Sequence, residues 1–131
     1  MDLATVEATL HRLFIAADGT SLRREDLKKA REAAALLDQL ARIVRPDRLL
    51  VDAAAGKAYV GLLAVELIGV TRVHVIEREP RRAALCRQAA SRLSRAAEVT
   101  IVERDVADAS AWPADPDVVV GLHACGAASD A

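Results

Sequence analysis

Four short apolar runs of the chain are each followed directly by polar or small residues that could bind a ligand. Asp52 and a turn of small residues follow the first run, Glu77 the second, Asp105 and Val106 the third, and the stretch 121–126 the fourth. A turn of small residues lets a ligand approach the backbone and its free N–H groups. A carboxylate at Glu77, 25 residues after Asp52, can accept both hydroxyls of a ribose. Asp105 and Val106 are then placed to meet an adenine edge, so the four stretches predict a nucleoside-binding site.

Each of these features also has an ordinary structural interpretation. A small-residue turn after a strand often serves tight packing alone, and an acid at a strand end is often a solvated cap. The four features occur in the order that a nucleotide-binding sheet requires. This order favours the nucleoside site over four unrelated structural features.

The spacing of apolar residues predicts the elements that position these side chains. Helical spacing predicts one helix over 2–17 and a second from Thr20 or Ser21 to the residues before Pro46. From residue 48 onward, short apolar strands alternate with helical patterns, one of which ends at Gly69. We therefore expect an N-terminal helical hairpin over 1–47 and an α/β, Rossmann-like doubly wound parallel sheet over 48–131. Such a sheet binds ligands at the carboxyl ends of its strands.

Composition and charge narrow the function classes. A chain of 131 residues and 14.0 kDa indicates one folded unit. A formal charge of −1 argues against a dedicated electrostatic binder of nucleic acid, although a local patch could still hold such a substrate. Cys86 and Cys125 lack the spacing of a zinc site, so we expect no metal. Without a signal peptide or a bilayer-spanning stretch, the expected location is cytoplasmic, with no membrane association.

Over about 48–131 the chain resembles the class I S-adenosylmethionine-dependent methyltransferases. The stretch 51–61 reads Val-Asp-Ala-Ala-Ala-Gly-Lys-Ala-Tyr-Val-Gly, and the stretch 121–126 reads Gly-Leu-His-Ala-Cys-Gly. They are similar to the Val-Asp-x-Gly-x-Gly-Lys-Gly-Tyr-Leu and Leu-His-x-Cys-Gly motifs of one group within that family. That group includes RNA methyltransferases, among them tRNA ribose methyltransferases. The resemblance implies S-adenosylmethionine as cofactor and RNA or a small molecule as methyl acceptor.

The resemblance also implies roles for individual residues. Asp52 and the backbone near Ala54 and Gly56 would hold the methionine moiety, and Glu77 would bind the ribose. His123 is the expected catalytic residue, as a general base at the methyl-transfer end; alternatively it holds its loop through a hydrogen bond. The expected cofactor contacts are Asp52, Ala53, Ala54, Gly56, Glu77, Arg78, Asp105, Val106, Leu122 and His123.

Two departures from the family pattern bear on activity. Ala54 and Ala58 replace loop glycines, and an alanine at a positive φ costs on the order of 1 kcal/mol. A class I domain has seven strands, whereas this sequence ends after its fourth, so the resemblance implies a sheet of order 3-2-1-4. Its fourth strand, predicted over 117–122 with the apolar residues 118–120, would be an open edge. We expect a fragment that lacks a C-terminal half, or a homodimer through strand four, rather than cover by the N-terminal helices.

Two other functions stay open at this point. One is a non-catalytic nucleoside-binding or assembly module whose sheet is completed by a partner chain or by dimerisation. The other is a nicotinamide-dependent Rossmann protein, which the absence of Gly-x-Gly-x-x-Gly from 54–58 disfavours. The remaining reactive side chains are expected to be structural: Cys86, His74 and Cys125 as packed groups, and the arginines over 81–95 as a solvated basic face.

Overall fold

The protein, seen in a computed structural model, is described over residues 1–15, 24–53 and 59–121. Helix α1 is followed by a π-helical turn and helix α2, and two further helices alternate with the first three of four strands. The elements are α1 Leu3–Leu10, the π turn His11–Ile15, α2 Arg24–Ile43, β1 Leu49–Ala53, α3 Tyr59–Ile68, β2 Arg72–Ile76, α4 Pro80–Ala90, β3 Glu98–Val102, a 3₁₀ turn Ala109–Ala111 and β4 Val118–Val120.

The four strands form one parallel sheet in the order β3-β2-β1-β4. The last residues of the three consecutive strands are in register: Ala53 pairs with Ile76, and Ile76 pairs with Val102. The predicted α/β, Rossmann-like architecture with a helical segment before it is confirmed.

Local sequence explains where the helices of the sheet region begin and end. Pro80 occupies the first turn of α4, where its missing N–H leaves no backbone donor unsatisfied. The Glu79 carboxylate caps this helix by accepting from the backbone N–H groups of Arg81 at 3.3 Å and Arg82 at 3.0 Å. Gly69 ends α3 with a φ of +76°, which is the left-handed conformation that glycine adopts without strain.

Helix α3 is apolar on all sides because it lies between the sheet and the N-terminal helices. Its residues Leu62–Val65 are fully buried. One side packs on the sheet through residues such as Leu50 and Val73, and the other side packs on α1 and α2. A helix that is hydrophobic all round is a core helix. The helical hairpin therefore forms an outer layer over α3, with the π turn against α4.

The opposite face of the sheet is covered at its carboxyl end by the 3₁₀ turn. Ala111 and Trp112 pack there against Val51 and Ile76. Nε2 of His74 is 2.7 Å from the backbone oxygen of Ala111, so the imidazole forms a hydrogen bond to this turn. On β4 the side chain of Val119 stays 49% exposed.

Among residues 1–15, 24–53 and 59–121, no helix combines the length and the apolar character needed to cross a membrane.

Candidate functional site

Three of the predicted binding residues lie along one rim of the sheet, at the carboxyl ends of three neighbouring strands. Asp52 is the penultimate residue of β1, Glu77 directly follows β2, and Asp105 follows β3 by three residues. Because these strands are parallel and in register, their ends meet at the same edge. This edge is where a doubly wound sheet binds ligands.

Asp52 is buried beneath this rim, with its side chain on the face that carries α3. The residue is 0% exposed. Its Oδ2 accepts a hydrogen bond from the backbone N–H of Gly61 at 2.8 Å. Its Oδ1 is also buried and has no hydrogen-bond partner among the described residues. Buried acceptors in native proteins are nearly always paired, so this oxygen marks a position for a donor.

Gly61 allows α3 to approach β1 closely enough for this hydrogen bond. A Cβ atom on residue 61 would lie 2.9 Å from Oδ2 and 3.1 Å from Cβ of Asp52, and 3.1 Å from Cγ1 of Val73. These distances are shorter than ordinary van der Waals contacts. Any larger residue at position 61 would therefore push α3 away from the sheet.

The burial of Asp52 changes its acidity. Desolvation raises the pKa of this carboxyl, and the hydrogen bond from Gly61 opposes the rise. The negative charge of Glu77 raises it further, and the resulting pKa is about 7. The structure thus brings Asp52 and Glu77 near enough for the charge of one to affect the other.

Glu77 is the second buried carboxylate of the rim, at 3% exposure. Its Oε1 accepts from the backbone N–H of Glu79 at 3.0 Å, which holds the side chain at the start of α4. Its own backbone N–H donates to the carbonyl of Val102 at 3.0 Å, so the chain stays attached to β3 beyond the end of β2. One hydrogen bond thus holds the carboxylate of Glu77 and the other holds its backbone.

The third rim position is exposed to solvent. The guanidinium Nη1 of Arg78 is 3.5 Å from Oδ2 of Asp105, whose other oxygen accepts from the N–H of Ala107 at 2.9 Å. The half-buried Val106 receives a hydrogen bond on its carbonyl from Nε1 of Trp112, at 2.7 Å. Arg78 and Asp105 thus form a surface ion pair after β2 and β3, and Trp112 fixes the segment next to it.

Comparison with protein-family models adds a finding of a different kind. The sequence matches the model of a family described as a methyltransferase domain, over residues 26–131. The chain belongs to this methyltransferase family. A search among curated proteins finds no match.

Several predicted site residues of this methyltransferase domain lie outside the described residues. These are Ala54, Gly56, Leu122 and His123, together with Ala58 and Cys125. Their predicted roles stay predictions. Ala53 is described, and it is buried at the end of β1 beside Asp52.

One buried carboxylate of the methyltransferase domain escaped the sequence reasoning. Glu66 on α3 accepts from the backbone N–H of Ser94 at 2.6 Å, from its hydroxyl at 2.8 Å and from the N–H of Arg95 at 3.1 Å. It also pairs with the guanidinium of Arg12. Burial raises the pKa of Glu66, but these donors outweigh burial and hold it below the ordinary value of 4.5. This cluster joins α3, the π turn and the segment after α4.

The same region corrects the interpretation of the arginines over 81–95. The guanidinium of Arg92 is half-buried and donates to the carbonyl of Leu13 at 2.6 Å, so a purely solvated face is wrong for this residue. Arg87 pairs with Glu103 at 2.6 Å. A repeated residue type on one helix does not reveal which members find distant partners.

Proposed function

We propose that this methyltransferase domain binds S-adenosylmethionine at the rim of Asp52, Glu77 and Asp105. The observation that carries the proposal is Oδ1 of Asp52, a fully buried acceptor with no partner among the described residues. A second buried carboxylate, Glu77, acts on it electrostatically. Two acids in this arrangement favour a ligand with a positive charge and several hydrogen-bond donors.

The donor set of S-adenosylmethionine fits these residues. Its α-ammonium group would donate to Oδ1 of Asp52, and its ribose hydroxyls to Glu77. The adenine would lie by Val106, next to the Arg78–Asp105 ion pair. When bound, S-adenosylmethionine supplies a methyl group on a positively charged sulfur, which a nucleophile can displace in line.

The residues of the chain would act mainly by binding and orientation. Correct placement of two reactants accounts for a large share of the rate in such a transfer. His123 is the proposed base that removes a proton from the acceptor, with the alternative that it only supports its loop.

Calorimetry on the full chain tests the cofactor. We expect heat on titration with S-adenosylhomocysteine and none with NADH. Glu77→Ala should weaken S-adenosylhomocysteine binding by roughly 1–3 kcal/mol, or about 5- to 150-fold, because charge-assisted hydrogen bonds are lost.

Glu98→Ala is the matched control for this variant. It removes an exposed carboxylate from the amino end of β3, at the opposite end of the sheet, and should leave the affinity unchanged. Heat with NADH alone, or equal affinities for the parent chain and Glu77→Ala, would contradict the proposed site.

The proposed acceptor is RNA, and its support is the resemblance of 121–126 to RNA-modifying enzymes. Incubation of the chain with RNA and S-adenosylmethionine labelled in its methyl group should place label in the RNA. Label in a small-molecule fraction and none in the RNA would show that the acceptor is a small molecule and not RNA.

The alternative of an assembly module that pairs with a partner chain or a second copy has one observation in its favour. The edge strand β4 leaves Val119 half exposed, and an apolar edge is prone to pair with another strand. Light scattering at several concentrations tests it. A homodimer that binds S-adenosylhomocysteine but labels no acceptor would favour the assembly module, and a monomer at all concentrations would exclude pairing of two copies through β4.

A further inference from the structure

The described surroundings of Asp52 offer almost nothing to stabilise a negative charge. Its neighbours across the sheet are Val75 on β2 and Val120 on β4, and its contact on α3 is the backbone of Gly61. One oxygen has a single N–H donor, and the other has no partner among the described residues. No described cationic side chain pairs with this carboxyl.

The ionisable groups of the elements packed against Asp52 make its ionisation harder still. On β2 and directly after it, the group whose charge acts on Asp52 is Glu77, which is itself an acid. The described part of β4 contains only valines. On α3 the described ionisable side chain is Glu66, which is bound to Ser94 and Arg12. Lys57 lies outside the described residues.

A carboxylate in such a place costs more free energy than the neutral acid. Complete removal from water disfavours the charged form, and a nearby like charge disfavours it again. Among the described residues, the backbone N–H of Gly61 compensates only part of this cost. The neutral carboxylic acid is therefore the favoured form until a cationic group arrives.

We propose that Asp52 carries a proton in the ligand-free protein and releases it when the ammonium group of the nucleoside ligand reaches its Oδ1. The O–H bond of the carboxyl breaks, the proton passes to water, and the carboxylate accepts a hydrogen bond from the ammonium. The step involves no oxidation or reduction. The inference rests on the proposed function, and it adds that cofactor binding is linked to proton release.

Calorimetry in two buffers that differ in heat of ionisation measures the number of protons released. With the pKa of Asp52 at about 7, S-adenosylhomocysteine should release about half a proton at pH 7 and nearly one at pH 6. The affinity should fall about fivefold between these two pH values, since a growing share of the free protein must lose its proton first. Below pH 7 the ammonium of the ligand stays charged.

A ligand control and a protein control isolate Asp52. Adenosine has the same ribose and base but no ammonium, so it should bind without proton release. Asp52→Asn keeps an oxygen for the N–H of Gly61 but has no proton to lose. Its weaker binding of S-adenosylhomocysteine should show no proton release and no change between pH 6 and pH 7.

A titration of the free protein tests the proton directly. Carboxyl ¹³C NMR on aspartate-labelled protein, with Asp52→Asn to assign the signal, should show Asp52 neutral at pH 5 and ionised only near or above pH 7. Glu77→Gln should shift this titration to lower pH, because the neighbouring negative charge is removed.

The outcomes separate the two proposals. Binding of S-adenosylhomocysteine without proton release, or equal release by adenosine, overturns the inference and leaves the proposed function intact. No binding at all overturns the proposed function, and the NMR titration then decides the proton by itself. An Asp52 signal that is already ionised at pH 5 overturns the inference in every case.

Discussion

Replacement of Gly61 by alanine tests the contact on which the site depends. The new Cβ would lie 2.9 Å from Oδ2 of Asp52 and 3.1 Å from both its Cβ and Cγ1 of Val73. All three atoms belong to residues of β1 and β2, the two central strands of the sheet, where little movement is possible. We expect α3 to move outward by a few tenths of an ångström and to lengthen the 2.8 Å hydrogen bond to Asp52.

Opposing effects set the magnitude of this change. Overpacking a close contact costs about 1–3 kcal/mol, and weakening a hydrogen bond to a buried carboxyl costs roughly 1 kcal/mol more. Alanine is a better helix former than glycine, which returns about 1 kcal/mol. The net expectation is a loss of about 1–3 kcal/mol in the free energy of unfolding, which is large for a domain of ordinary stability.

Urea unfolding followed by circular dichroism measures this loss. Ala35→Gly, at an exposed position of α2, calibrates the helix-propensity effect without a packing change. Val73→Ala removes one of the three close contacts, so Gly61→Ala should cost less in that background than in the parent chain. A Gly61→Ala protein that is as stable as the parent, or more stable, would refute the proposed dependence of the α3–β1 approach on glycine.

Two further variants test the contacts that hold neighbouring elements in place. Glu66→Gln should destabilise the fold by roughly 2–3 kcal/mol, since three N–H or O–H donors and the half-exposed Arg12 lose a charged acceptor. Because the pKa of Glu66 is lowered, this loss of stability should be complete above pH 4.5 and become smaller as the pH falls below it. Urea unfolding at pH 7 and pH 4 measures the loss, with Glu103→Gln as a surface control. Equal losses at both pH values would contradict the expectation. Asp117→Ala should cost about 1 kcal/mol and speed amide hydrogen exchange in β4, because Oδ2 of Asp117 accepts from the N–H of Leu49 at 2.8 Å, and unchanged exchange would exclude this anchoring role.

The strands could be predicted from sequence because each is a short apolar run bounded by polar or small residues. This bounding also placed Asp52 and Glu77 at strand ends, where the structure has them. The side to which Asp52 points could not be predicted. A sheet buried on both faces shows no alternation of polar and apolar residues, so nothing in the sequence tells one face from the other. The contact of Gly61 with Asp52 depends on which face the Asp52 side chain occupies, so this contact could not be predicted either.

Long-range contacts account for the other differences. Glu66 looked like an interruption of an apolar helix, since its partners lie 28 and 54 residues away in the sequence. The predicted first helix over 2–17 changes to a π turn at His11, which buries the consecutive residues Leu13–Ile15. Three buried neighbours in a row do not fit one face of a regular α-helix. The π turn packs on α4, and the spacing of apolar residues within the first helix does not predict that contact.

The two ends of α3 connect the N-terminal helices to the binding rim. Near its start, Gly61 contacts Asp52. Five residues later, Glu66 contacts Arg12 of the π turn and Ser94 after α4. The hairpin and the sheet share one hydrophobic core with α3 at its centre. The position of the Asp52 carboxyl is thus set by a helix that is held from both sides. The segment before β1 therefore contributes to the site without reaching it, because it keeps α3 close enough to β1 to bury that carboxyl.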